Sequence, residues 1–150
     1  LSDLTKNIIA IEPHPKTNFQ LKMNFKLNEI DENQIHQLAI GASNKEVYFT
    51  SFNQESSINK VSNSKSDLKV TQKSLDTILD LSKEYILKID VEGYELEVLR
   101  GMKELFLKNC VTGIIIESFD GLALEMLSKI GYQIRKTSQN NYFVYKKRLG

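Results

Sequence analysis

The chain has 150 residues, of which 41% are hydrophobic and 26% charged, ordinary values for a single soluble globular domain. A chain of this size buries about 70% of the surface it exposes when unfolded. Its 20 basic and 19 acidic side chains nearly cancel, so no overall field draws in nucleic acid or an anionic membrane, and neither is expected as a partner.

Cys110 is the sole cysteine, which excludes an intrachain disulfide and suits a reducing, cytoplasmic setting. No apolar run reaches spanning length and no secretory signal is visible. Lys146, Lys147 and Arg148 read as a solvated basic tail.

Asn7 to Ile11 reads as a buried strand, followed by Glu12-Pro13-His14-Pro15. An acid at the carboxyl end of a parallel strand can accept both hydroxyls of a ribose, or it can be a plain loop carboxylate. From Lys16 to Ile30 two periods compete. Phe19, Leu21, Met23, Phe25 and Leu27 alternate as in a strand, while Phe19, Met23 and Leu27 are spaced by four as in a helix that Pro15 would open. Ile35 to Ile40 reads as a third strand ending in Gly41-Ala42-Ser43, either a small-residue loop suited to a flat adenine or an ordinary turn.

Glu46 to Phe52 is β-rich, and Asn53 to Ser66 is a polar stretch read as a mobile loop near the substrate. Val70 to Leu75 reads as a strand, with Asp76 capping a short helix from Thr77 to Leu81.

Tyr85 to Ile89 has the apolar density of a strand buried on both faces. Asp90 and Glu92 follow it, and Gly93 permits a sharp turn. From Tyr94 the period becomes helical, with Leu96, Leu99, Met102 and Leu105 on one face and Glu97, Arg100, Lys103, Glu104 and Lys108 on the other. In open α/β sheets ligands bind beyond the carboxyl ends of the strands, where these acids stand. The same acids also suit the first turn of a helix. Val111 to Ile116 is the next strand and ends in Glu117. Asp120 then caps a helix that Gly131 terminates, and Tyr132 to Lys136 with Tyr142 to Lys146 form a closing hairpin.

The run K-I-D-V-E-G-Y-E-L-E-V-L-R-G, residues 88 to 101, resembles the signature block of the FkbM family of S-adenosylmethionine-dependent methyltransferases. E-P-x-P at Glu12, the small-residue turn at Gly41, the Ser56-Ser57 pair, the L-D pair at Leu75-Asp76 and I-I-I-E ending at Glu117 are similar to further elements of that family. The resemblance implies a Rossmann-like class I methyltransferase fold, α/β, with a mostly parallel sheet and a C-terminal antiparallel hairpin. It favours a helix for residues 16–30 and a ribose-binding role for Glu12.

The implied activity is transfer of a methyl group from S-adenosyl-L-methionine to a hydroxyl of a small molecule or carbohydrate, which needs the acceptor aligned and its proton removed. Asp90 is the first choice for that base or for orienting the acceptor, with Glu92 and Glu117 sharing the task. Neighbouring carboxylates should raise one another's pKa. Cofactor contacts are expected from Glu12, Gly41, Ala42, Ser43 and Asp90. Lys88 is expected to pair with one of the acids. No metal-ligand motif is present, so no metal is assigned.

The family's glycine-rich D-x-G-A-N-x-G loop is absent, and the chain opens on Leu1. The expectation is therefore the carboxyl-terminal part of a longer methyltransferase, lacking a central first strand and binding cofactor weakly or not at all. The edges of the strands at Ile8 and Ile86 would then close on each other or accept a strand in trans, as in a homodimer. Two other readings stand beside this one. One is a non-catalytic scaffold that has lost its cofactor site. The other is a nicotinamide-dependent oxidoreductase using Glu12 on the ribose, which the lack of G-x-G-x-x-G ranks last.

Overall fold

The computed structural model describes residues 7–49, 61–62 and 68–146. Strand β1 (Ala10–Ile11) runs parallel to β2 (Ile35–His36) as a two-stranded unit. Between them lies helix α1 (Pro15–Leu27), so the segment with competing periods is helical. Pro15 occupies the start of the helix, where its missing N–H costs nothing and its fixed φ is already helical. The helix turns Asn18 and Phe25 inward, while Phe19, Met23 and Leu27, the apolar stripe spaced by four, are 65%, 44% and 77% exposed.

The largest sheet has the order β7 (Tyr85–Ile89), β8 (Val111–Glu117), β10 (Asn141–Tyr145), β9 (Gln133–Lys136). Its β7–β8 pair is parallel, and the closing hairpin is antiparallel as expected. One face is covered by α2 (Glu95–Arg100), α3 (Lys103–Leu107) and α4 (Leu122–Lys129). Leu99, Met102, Leu105, Val111, Ile114, Ile116, Leu127 and Val144 are fully buried there. Strand β7 departs from expectation. Its burial alternates along the strand and Ile86 is 73% exposed, because β7 is an edge strand with one face open among the described residues.

The helical period from Tyr94 predicts the buried residues well but misses a break. Gly101 ends α2 and Met102 precedes α3. A Cβ on Gly101 would lie 2.2 Å from the carbonyl oxygen of Gly41, so only glycine allows the two backbones to meet. The carbonyl of Gly101 instead accepts from the backbone N–H of Asp76 at 3.1 Å. The Asp76 carboxylate accepts from the N–H groups of Glu104 and Leu105, both at 3.0 Å, and so caps α3. Asp76 is a cap, as expected, but of a helix some thirty residues away. The expected helix from Thr77 to Leu81 is reduced to a 3-10 turn at Leu75–Thr77.

A second sheet has the order β3 (Ala39–Ile40), β6 (Leu68–Lys73), β4 (Lys45–Phe49), β5 (Val61–Ser62). The single strand expected from Ile35 to Ile40 is thus two short strands in different sheets. Of the seven pairings among the described residues, β1–β2, β3–β6 and β7–β8 are parallel and four are antiparallel. The architecture is mixed α/β in three sheets, where one mostly parallel sheet was expected. Much of the polar stretch from Asn53 to Ser66, including Ser56 and Ser57, lies outside the described residues.

Candidate active site

Parallel pairing of β7 with β8 puts Ile89 beside Ile116, so the residues that follow, Asp90 and Glu117, emerge together. Beyond Asp90 the chain turns through two consecutive left-handed residues, Glu92 at φ 51° and Gly93 at φ 91°. A non-glycine residue there costs roughly 1–2 kcal/mol and persists only if its surroundings enforce it. Glu95 does so. Its side chain is nearly fully buried, and Oε1 accepts from the Gly93 N–H at 2.8 Å. The turn therefore carries Glu92 back toward Asp90 and Glu117.

The charges of these groups act on Glu117. Partial burial, then the negative charges of Asp90, Glu92 and Glu95 together with a hydrogen bond shared with Asp90, push its carboxyl above the ordinary value. Asp90 faces a cation as well, for Lys88 Nζ lies 2.7 Å from its Oδ2. The two carboxyls are thus unlike: Asp90 is ion-paired, whereas Glu117 is held above its ordinary pKa by burial and the neighbouring acids. The expected pairing of Lys88 is with Asp90.

A cavity of about 350 Å3 lies beside this acidic turn. It is lined by Tyr85 to Val91, along the edge of β7 that is unpaired among the described residues, and by Asn7, Ile9, Ile11, Ile40, Leu75, Leu79 and Val98. The last residues of β1 and β3, Ile11 and Ile40, thus share the cavity with the whole of β7, while Glu12, Gly41, Ala42, Ser43, Glu92 and Glu117 are not among its lining residues. Glu12 follows Ile11; its Oε1 accepts from the His14 N–H at 2.8 Å, and its carbonyl accepts from Asn18 Nδ2 at 3.2 Å. His14 is a half-buried loop residue at the start of α1.

Gly41, Ala42 and Ser43 follow β3, and packing gives Gly41 a reason of its own for being small. Gly41 is buried, closely overlain by the Gln72 amide and in contact with Gly101, so tight packing demands its size. Ala42 is half-buried and Ser43 exposed. Among the described residues, no group of three or more His, Cys, Asp and Glu side chains is placed to hold a metal ion. No helix among the described residues is long and apolar enough to cross a membrane.

The family model of the methyltransferase FkbM domain matches residues 1–142. The chain belongs to the FkbM methyltransferase domain family. The crystal structure of a methyltransferase FkbM from Methylobacillus flagellatus KT is similar in fold, with a TM-score of 0.54 at 16% identity, over 90% of this chain. The FkbM chain described here spans 35% of that protein's length. No curated protein matches the chain.

Two further residues of this FkbM domain shape the site. Glu95, two residues beyond Gly93, reaches back to the turn, and Gln72 puts an amide in the inward-facing register of Leu68 and Val70.

Proposed function

We propose that this chain is the acid-bearing part of an S-adenosyl-L-methionine-dependent methyltransferase acting on a hydroxyl of a small molecule or carbohydrate. The observation that carries this reading is the Asp90–Glu117 pair at the ends of β7 and β8, in which Asp90 is ion-paired with Lys88 and Glu117 is held above its ordinary pKa. Pairs of acids with unlike environments divide acid–base roles between them. Glu117 accepts the acceptor's proton, because a raised pKa makes it the stronger base. Asp90, held by Lys88, orients the hydroxyl, and Glu92 flanks it.

Glu12, directly after β1, is the candidate for the ribose hydroxyls of the methyl donor, and Gly41, Ala42 and Ser43, directly after β3, are the candidates for its adenine. Bound S-adenosyl-L-methionine would supply the electrophilic methyl group. The proton of the acceptor hydroxyl would pass to Glu117 as the oxygen is methylated.

The edge of β7 that is open among the described residues, lining one cavity with Ile11 of β1, favours a further extended segment pairing there, from this polypeptide or from a second copy of it. A parallel strand in that gap would satisfy both edges and complete the sheet around which the cofactor sits.

Methyl transfer from labelled cofactor to a panel of sugar and small-molecule hydroxyls tests the reading. Glu117→Gln should lower kcat by about 10²–10⁴-fold, the usual worth of a positioned general base. Unchanged turnover in that variant would remove Glu117 as base. Failure of the protein to bind S-adenosylhomocysteine by calorimetry would favour the non-catalytic scaffold.

A further inference from the structure

Strand β6 alternates as a half-buried strand should, with Leu68, Val70 and Gln72 inward and Lys69, Thr71 and Lys73 outward. The third inward position is an amide with no exposure at all. Its backbone is paired on both sides, to Ala39 of β3 and Lys45 of β4, so the side chain cannot swing out to water. An apolar residue would occupy such a place without cost, whereas a buried amide is tolerated only when its donor and acceptor are both used.

Both are. Gln72 Nε2 donates to the carbonyl of Ser43 at 2.8 Å, and Oε1 accepts from the hydroxyl of Tyr94 at 3.1 Å. Gly41 closes over the amide, since a Cβ there would lie 2.5–2.6 Å from its Cδ, Nε2 and Oε1. The amide thus joins two segments remote in sequence: the loop after β3 and the residue directly after the Glu92–Gly93 turn. Burial and the facing charge of Glu97 hold the Tyr94 hydroxyl above its ordinary pKa, so it stays a donor across the neutral range.

We infer that Gln72 is a positioning residue: its amide, clamped between Ser43 and Tyr94, sets the spacing between the loop after β3 and the acidic turn. This inference rests on the proposed reading of those two segments as opposite walls of the methyl-donor site. The amide touches neither donor nor acceptor and acts through the segments it holds. The ligand contacts made by the loop thereby depend on its tie to the turn through one side chain.

Gln72→Met, of similar volume but without hydrogen-bonding groups, and Tyr94→Phe each remove one or both ends of the clamp. With the whole chain, S-adenosylhomocysteine binding should weaken by about tenfold in each variant, with the double variant no worse than Gln72→Met, as expected when one hydrogen-bonded unit is lost. Cofactor KM should rise while kcat at saturation stays near that of the parent; a merely structural defect would lower kcat through a smaller active fraction. Hydrogen exchange supplies a readout independent of the ligand. Tyr94→Phe should speed amide exchange in residues 41–44, some fifty positions away in sequence, and Gln72→Met should speed it there and at 93–94. Exchange at 41–44 unmoved by Tyr94→Phe would overturn the clamp. If the parent binds no S-adenosylhomocysteine but exchange is coupled, the clamp stands and the cofactor reading falls.

Discussion

The two four-stranded sheets of this molecule are held by different forces. The β7–β8–β10–β9 sheet packs α2, α3 and α4 over a continuous apolar core, with eight side chains such as Leu99, Leu105 and Ile114 at zero exposure. Among the described residues, the β3–β6–β4–β5 sheet buries Ala39, Val47 and Val70, with Leu68 beside them, a smaller apolar cluster than that of the other sheet. Its attachment to the rest combines apolar packing of Ile40 and the adjacent Leu75 into the main core with directional contacts: the Asp76 carboxylate on the α3 N-terminus, the Gln72 amide on Tyr94, and the Gly41–Gly101 backbone contact. Burial is forgiving of small shifts, whereas hydrogen bonds and backbone contacts are not. The larger sheet therefore supplies stability, and the smaller one supplies position.

Three substitutions would sharpen that contrast or break it. Leu105→Ala, in the larger core, should cost about 2–5 kcal/mol in chemical denaturation, the range for a buried leucine that leaves a cavity. A loss under about 1 kcal/mol would mean that this core is not what stabilises the fold.

Gly101→Ala pushes a methyl into the Gly41 carbonyl and should cost roughly 1–3 kcal/mol. Limited proteolysis and amide exchange should show its effect concentrated in β3 and β6, while β8 and β10 stay protected. Uniform loosening of both sheets would show that they do not differ as argued.

The smallest effect has the opposite sign. Glu117 is held above its ordinary value of 4.5, so between that value and its folded one the native protein binds more protons than the unfolded chain, and stability falls as pH rises. The penalty is complete above the folded value. Glu117→Gln removes it, so the variant should melt higher than the parent near neutral pH and alike well below pH 4.5. A variant less stable than the parent at neutral pH would show that Glu117 is a structural acid, which would count against its proposed role.

What local chemistry dictates was legible from the letters. Pro15 opening α1, the helical period that buries Leu99, Met102 and Leu105, the closing hairpin, and a strand leading into Asp90 and Glu92 each depend on neighbours in sequence. The pairing of Asp90 with Glu117 followed from two strands ending alike. What tertiary structure alone decided concerns partners far apart along the chain. Gly101 had to meet Gly41 before the helix could be seen to break, and Asp76 had to find α3 before its capping role could be placed. The exposed stripe on α1 shows the same limit, since a period names a face but not the side that faces the core. Periodicity and capping residues act over one or two turns of chain, while close approach, buried amides and strand order depend on which distant segments the fold brings together.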